Sequence, residues 1–138
     1  MAELSEQLGY PVEAQEMQMR LQRLLPTHNH LILVAESASE VVGWTHATEQ
    51  HVLEVGRYCE ILGLIIAADQ RGKGIGRQLV DRIERWAAER GLDQITVRSN
   101  VLRQESHPFY ERLGFIRFRT QHVYRRQIGI APVSPERG

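Results

Sequence analysis

A glycine-rich stretch between two apolar patterns constrains the fold more than any other feature. The stretch Gln70–Val80, QRGKGIGRQLV, contains Gly72, Gly74 and Gly76. It follows the run Tyr58–Ala68, which is apolar on both faces, as a central buried strand should be. A strand that ends in a glycine turn and opens a helix points several backbone N–H groups in one direction, with the positive end of the helix behind them. The stretch therefore predicts an anion site that a phosphate group can approach closely.

The glycine spacing excludes two familiar nucleotide sites. The dinucleotide fingerprint needs a third glycine where this chain has Arg77 or Leu79. The P-loop needs Gly-Lys followed by Ser or Thr, whereas Lys73 is followed by Gly74. A tight strand-to-helix connection, in which the glycines serve only geometry, is the alternative.

Composition limits the class of protein. The chain has 138 residues, of which 42% are hydrophobic and 25% charged, enough for one domain with a core but not for two. We expect a single domain over residues 1–128 and a flexible tail over 129–138. The formal net charge is zero, which gives no reason to expect nucleic acid or a membrane as partner. Cys59 is the only cysteine, and no leader or long apolar stretch is recognisable, so a cytoplasmic protein is predicted.

The hydrophobic patterns predict alternating helices and strands. Two helices are expected first, over about 4–9 and 12–25, then a hairpin of strands Leu31–Glu36 and Val41–Thr48 joined by a polar turn. The remaining expectations are a polar loop at Glu49, Gln50 and His51, the strand 58–68, a helix from Ile75 to the stop at Gly91, a short strand at Ile95 and Val97, a short helix in ESHPFYERLGF, and a closing strand or pair in FIRFRTQHVYRRQI. This order predicts an α/β fold of the α+β type, with a mixed central sheet flanked by helices.

Two motifs together resemble a known family. The segment Arg71-Gly72-Lys73-Gly74-Ile75-Gly76 is followed by a strand, by SN and then by HPFYERLGF. This combination is similar to the GNAT superfamily of acetyl-CoA-dependent N-acetyltransferases over about 31–128, whose signature is Gln/Arg-x-x-Gly-x-Gly/Ala. The resemblance implies a GNAT-like fold with acetyl-CoA as cofactor.

The resemblance also implies which residues hold the cofactor. In the family, the loop amides hold the coenzyme A pyrophosphate, and the preceding strand and an Asn after the next strand contact the pantetheine arm. The corresponding positions here are Leu64, Ile66, Arg71, Gly72, Lys73, Gly74, Gly76, Arg77 and Asn100. Family members usually open with a strand before the first helix, and that strand is expected to be missing here. Its loss would expose the edge of the hairpin, so a homodimer is predicted.

Glu60 is the candidate general base. It interrupts an apolar strand, and it resembles the acidic residue that many family members carry at this place, often acting through water. A carboxylate among apolar neighbours is a stronger base than a solvated one. The alternative is a solvated side chain at the start of the strand, or one paired with Arg57.

Tyr110, in HPFYERLGF, is the candidate general acid. By resemblance, a Tyr at this position faces the cofactor sulfur and can protonate the departing thiolate. The alternative is a core aromatic residue that packs beside Phe109 and Phe115.

The acceptor amine is not specified by the sequence. Nine residues are candidates for the wall of its site: Tyr10, Trp44, His46, Glu49, His51, Tyr58, Arg98, His122 and Tyr124. The acidic residues near the central strand could equally be ordinary surface charge.

The histidines lack the spacing of a metal site, and we expect no metal. The predicted function is N-acetyltransfer to a primary amine of a small molecule or peptide. A CoA-binding regulatory module with little turnover, or a protein N-terminal or lysine acetyltransferase, is the alternative.

Overall fold

The computed structural model of the protein describes residues 13–98 and 106–129. These residues belong to two compact units, divided between residues 103 and 104, and each unit is described by itself. No helix within the described ranges is long and apolar enough to cross a membrane.

A four-stranded mixed sheet forms the centre of the first unit. Its elements are α1 (Ala14–Leu24), β1 (His30–Ser37), β2 (Glu40–Val52), β3 (Gly56–Ile66), a 3-10 turn (Ala68–Gln70), α2 (Ile75–Glu89) and β4 (Ile95–Val97). The strand order is β1-β2-β3-β4, with antiparallel pairs at β1–β2 and β2–β3 and a parallel pair at β3–β4. The predicted fold class, a mixed sheet flanked by helices, is confirmed.

The predicted hairpin is present and has a two-residue turn. Ala38 and Ser39 connect β1 to β2 with φ angles of 53° and 67°. Positive φ at both central residues matches the right-handed twist of the two strands. The turn therefore brings β1 and β2 together directly.

The predicted polar loop at residues 49–51 is wrong, because β2 continues to Val52. Glu49, Gln50 and His51 each have a Cα partner in β3. Glu49 is buried, at 8% exposure. Its carboxylate contacts the guanidinium groups of Arg57 and Arg90, so this charged residue is stable within the paired strands.

The helix α2 covers one face of the sheet. Its buried residues recur at helical spacing and include Leu79, Ile83 and Ala87. It contacts β1, β2 and β3. The predicted end of the helix is confirmed at Gly91, whose φ is +78°.

On the sheet, Cys59 is fully buried. Burial raises the pKa of its thiol to about 11, so the thiol stays protonated at neutral pH.

The second unit contains one short helix, α3 (Ser106–Arg112), as predicted. A turn follows, in which the Phe115 amide donates to the Tyr110 carbonyl at 3.1 Å. The predicted closing strand or pair is wrong for the described residues 115–127, which form neither helix nor strand. Their apolar side chains are exposed, Ile116 at 85% and Phe118 at 73%. Alternation alone does not make a strand, because a strand needs a partner to pair with.

Candidate active site

The glycine turn has the open geometry expected of an anion site. Gly72 and Gly74 have φ angles of +81° and +84°, in the left-handed region that favours glycine. A Cβ at either position would meet no atom within 4 Å, so the space beside the turn is empty. Gly74 is the N-cap of α2, and Gly76 is buried in the first turn of this helix. The first amides of the helix therefore lie beside open space.

Basic side chains surround the turn. Arg71 Nε donates to the Ile66 carbonyl at 3.2 Å, which ties the turn to the end of β3. Lys73 Nζ lies 3.4 Å from Gln70 Oε1, and Arg77 is exposed in the first turn of α2. Their positive charges add to that of the helix N-terminus. These residues fit the pyrophosphate of coenzyme A.

Gly74→Ala is expected to weaken CoA binding by about tenfold or more. An alanine in the left-handed region costs roughly 1–2 kcal/mol. The turn would relax and misalign amides whose hydrogen bonds to an anion contribute about 1.5–3 kcal/mol each. Calorimetric titration with CoA measures the effect. Gly56→Ala is the matched control, since Gly56 has φ +92° and open space but lies at the start of β3, away from the glycine turn. An equal loss of affinity in both variants would refute the assignment.

Within residues 13–98, the end of β3 next to the turn has one unpaired edge. Leu62 is an extra residue in this strand, since Ala47 pairs with Ile61 and His46 with Gly63. The parallel pairing with β4 ends at Ile61 and Val97. Beyond this point, within residues 13–98, β3 pairs only with β2.

Two predicted cofactor positions lie on this part of β3. Leu64 is opposite Thr45 and Ile66 is opposite Gly43, both past the last pair with β4. Their strand edge can therefore offer backbone groups to an extended ligand. Asn100, the third residue predicted to contact the pantetheine arm, lies outside the described residues.

Glu60 lies beside the extra residue of β3. Its side chain is buried, and Arg98 Nε contacts its Oε2 at 3.1 Å. The Tyr58 hydroxyl lies 3.5 Å from its Oε1. The contact with Glu60 raises the pKa of Arg98, which keeps the guanidinium charged. Because Arg57 pairs instead with Glu49, the alternative of a solvated Glu60 or one paired with Arg57 is wrong.

Glu49 belongs to the opposite face of the sheet. Its carboxylate contacts Arg57 Nε at 2.6 Å, Arg90 Nε at 2.8 Å and His51 Nε2 at 2.8 Å. The hydrogen bond from Arg57, followed by that from Arg90, lowers the pKa of Glu49 to about 2. The alternative that Glu49 is ordinary surface charge is therefore wrong. Glu49 and His51 also do not share the face of Glu60, because they alternate with Thr48, its cross-strand partner.

The other acceptor-wall candidates divide between the two units. Trp44, His46, Tyr58 and Arg98 share the face of Glu60 by strand alternation. Tyr10 lies outside the described residues.

Sequence reasoning missed the contact between His30 and His46 on this face. His30 Nδ1 lies 2.9 Å from His46 Nε2. The two histidines are 16 residues apart, and only the register of β1 against β2 reveals their pairing.

The second unit holds Tyr110 in α3. Its ring packs edge-on against Phe109 and Phe115, with centroid distances of 5.1 and 5.8 Å. The alternative interpretation of Tyr110, as an aromatic residue that packs beside Phe109 and Phe115, predicted this contact. The packing fixes the orientation of the Tyr110 ring. His122 and Tyr124 are exposed in the same unit. Within the described ranges of both units, no three His, Cys, Asp or Glu side chains form a potential metal site.

Comparison with known proteins identifies the family. The sequence model of the Acetyltransferase (GNAT) family matches residues 1–115. The chain is 25% identical over 97 residues to the uncharacterized N-acetyltransferase YhdJ of Bacillus subtilis, covering 70% of this chain and 68% of that protein. It is 32% identical over 95 residues to a mycothiol acetyltransferase of Thermobispora bispora, covering 67% of this chain but 32% of that protein.

A solved structure shares the fold. The aminoglycoside N-acetyltransferase AAC(6')-Iy, in complex with a bisubstrate analog containing CoA, superposes with a TM-score of 0.81 at 18% identity, covering 91% of this chain and 88% of that one. The predictions of family, of N-acetyltransferase class and of acetyl-CoA as co-substrate are confirmed. The family match over residues 1–115, on a fold with an open glycine turn at the start of α2, shows that this chain belongs to the GNAT family of acetyltransferases.

Proposed function

We propose that this chain acetylates a primary amine of a small molecule or peptide by direct attack on acetyl-CoA, with Glu60 as general base and Tyr110 as general acid. The observation that carries the proposal is the position of Glu60. It is a buried carboxylate two residues before the extra residue Leu62, and it is paired with Thr96 just before the last pair between β3 and β4. The names of related proteins, which refer to mycothiol and to an aminoglycoside, favour a small-molecule acceptor.

Proton removal is the first task of the site. An ordinary amine of pKa ~10.4 is almost entirely charged at pH 7, and freeing it costs about 4.6 kcal/mol. Glu60 can accept that proton directly or through water. Arg98 compensates for the burial of the Glu60 charge and keeps the carboxylate in place.

Cofactor binding is the second task. When bound, acetyl-CoA supplies the activated acetyl group as a thioester. We assign its pyrophosphate to the turn formed by Arg71, Gly72, Lys73, Gly74, Gly76 and Arg77. Leu64, Ile66 and Asn100 are assigned to the pantetheine arm. A backbone amide of Leu64 or Ile66 would meet the developing oxyanion.

An acetyl-transfer assay tests this function. The protein is incubated with acetyl-CoA and five probes: neamine, spermidine, phenylethylamine, a peptide with a free N-terminus and an N-blocked lysine peptide. Thiol release and product mass are measured. We expect acetylation of at least one of the first three. CoA binding without transfer to any probe would favour a CoA-binding module, and transfer only to the peptides would favour a protein acetyltransferase.

Tyr110→Phe is expected to lower kcat by about tenfold or more and to leave the Kd for CoA nearly unchanged. The hydroxyl is lost, but the ring that packs against Phe109 and Phe115 is kept. Unchanged turnover in Tyr110→Phe would remove this residue from the mechanism.

A cytoplasmic homodimer is the proposed form of the protein. Within residues 13–98, β1 pairs only with β2, and an open strand edge favours pairing with a second copy. In the second unit, Ile116 and Phe118 are exposed large apolar residues that a second copy could cover. Analytical ultracentrifugation over a hundredfold range of concentration measures the mass. A monomer mass at every concentration would contradict the dimer.

A further inference from the structure

A row of polar side chains crosses the sheet at Glu60. Its cross-strand partners are Thr96 in β4 and Thr48 in β2, and the partner of Thr48 in β1 is His30. Cross-strand partners project from the same face of a sheet. The candidate base and His30 therefore belong to one row.

His46 lies beside this row, on the cofactor side. It precedes Thr48 by two residues, so it shares the face and is a diagonal neighbour of Glu60, about 7–8 Å away. The residue directly opposite it in β3 is Gly63, which has no side chain. The Trp44 ring covers Gly63, at 3.1 Å from where a Cβ would lie. On this face of β2 and β3, His46 is thus the next side chain after Glu60, in the direction of the glycine turn, that can bind a proton.

The two histidines form a pair that can hold one additional proton. Their facing nitrogens are 2.9 Å apart, with ring centroids at 5.1 Å. In the neutral pair one ring donates and the other accepts. One added proton keeps this N–H···N bond and makes it charge-assisted, whereas a second would place two donors face to face. Burial and the neighbouring His30 lower the pKa of His46, which agrees with a pair that carries at most one charge.

Within residues 13–98, few charged groups lie on the strands and the helix next to the pair. On the same face, β3 contributes Glu60 and Tyr58, and Arg98 follows β4. Arg98 is already paired with Glu60. Helix α1 carries Glu16, Arg20 and Arg23, of which Glu16 and Arg20 form a pair with both side chains more than half exposed.

We propose that the His30–His46 pair is a proton relay, which receives the proton that Glu60 removes from the acceptor amine and passes it to solvent. This inference rests on the proposed function. Imidazole nitrogens take up and release protons near neutral pH, which suits a group that passes a proton from a carboxylate to solvent. Transfer across the gap between Glu60 and His46 requires a bridging water molecule. His30 is half-buried on β1, which within residues 13–98 pairs only with β2, and it provides the outlet.

The proton balance of the reaction needs such an outlet. The acceptor ammonium loses one proton before it attacks, and that proton passes through Glu60 to the pair. The attacking nitrogen loses a second proton as the C–N bond forms and the C–S bond breaks, and one proton ends on the thiolate of CoA. One proton is therefore released in each turnover, and the relay returns Glu60 to its carboxylate form.

The pH dependence of turnover tests the relay. His46→Gln and His30→Gln keep a hydrogen-bonding side chain but cannot take up a proton. We expect kcat to fall about tenfold at pH 7 and less than twofold at pH 9, with the probe amine that the wild type acetylates fastest. At pH 9 about one amine in 25 is already neutral, against about one in 2,500 at pH 7. His28→Gln is the matched control, since His28 is an exposed loop histidine two residues from His30.

Each outcome decides the proposal. A pH-dependent loss in the two variants, with His28→Gln unchanged, supports the relay. A wild-type profile in a folded variant, or an equal loss at pH 7 and pH 9, overturns it. If one variant does not fold, the other gives the answer. If the wild type acetylates none of the probes, the proposed function itself fails. If the wild type acetylates a probe and the variants keep its pH profile, only the relay fails.

Discussion

Glu60→Gln is expected to lower kcat for acetyl transfer by about 10²–10³-fold at pH 7, while the Kd for CoA stays within about twofold of the wild type. General-base catalysis typically contributes a factor of this size. Glutamine keeps the shape of the side chain and can still accept from Arg98 through its single oxygen, but it cannot take up a proton. Steady-state kinetics with a probe amine, and calorimetric titration with CoA, measure the two quantities.

Glu54→Gln is the control for this variant. Glu54 lies in the exposed β2–β3 turn, and its neutralisation removes the same charge from the same hairpin. Its kcat should match the wild type. If Glu60→Gln retains more than a third of wild-type turnover at pH 7, Glu60 is not the base. If the Glu60→Gln variant is unfolded at the assay temperature, as its Tm would show, the loss of activity comes from unfolding.

Glu49→Gln is expected to reduce the free energy of unfolding by about 2–4 kcal/mol at pH 7. The carboxylate is buried and contacts Arg57 and Arg90, and Arg57 also donates to the Arg90 carbonyl at the end of α2. Hydrogen bonds between charged groups contribute roughly 1.5–3 kcal/mol each, and water around the two guanidinium groups recovers part of the loss. Urea denaturation measures the change.

Glu16→Gln is the control for ion-pair position. Glu16 pairs with Arg20 on α1, with both side chains more than half exposed, and its loss should cost about 0.5 kcal/mol or less. A similar cost in both variants would show that the Glu49 cluster is no stronger than a surface pair.

The contribution of Glu49 to the free energy of unfolding should also depend on pH. Its pKa is lowered to about 2 in the folded protein from an ordinary value of 4.5. A carboxylate with a lowered pKa stabilises the fold above its ordinary pKa, and this stabilisation is lost as pH falls through the folded value. The difference in unfolding free energy between wild type and Glu49→Gln should therefore be constant above about pH 5 and shrink as pH falls toward 2. A difference that does not change over this range would contradict the cluster.

Local features of the fold could be predicted from the sequence. The glycine turn was predictable because Gly72 and Gly74 are residues that take positive φ readily, and both do. The central strand was predictable from its continuous apolar run, and α2 from its helical period and the stop at Gly91. Each of these signals lies within a few neighbouring residues.

Contacts between distant residues could not be predicted in this way. Glu49 looks like a loop residue because its neighbours are polar, but its partner Arg90 lies 41 residues away. The pair of His30 and His46 depends on the register of two strands. Alternation predicted that Glu60 shares a face with Leu62 and Leu64. This is wrong for Leu64, because the extra residue Leu62 shifts the alternation and places Leu64 opposite Thr45, on the other face. The partner Arg98 was not predictable either, because it follows a different strand.

The crystal structure of a CoA complex is the most direct test of the account. Its central claim is that the glycine turn holds the pyrophosphate and that the free edge of β3 directs the thiol toward Glu60. We predict pyrophosphate oxygens within hydrogen-bond distance of the amides from Gly72 to Gly76, and the CoA sulfur on the Glu60 face, beside the β3 backbone that follows Leu62. A pyrophosphate bound away from the turn, or a sulfur on the face of Glu49, would contradict it.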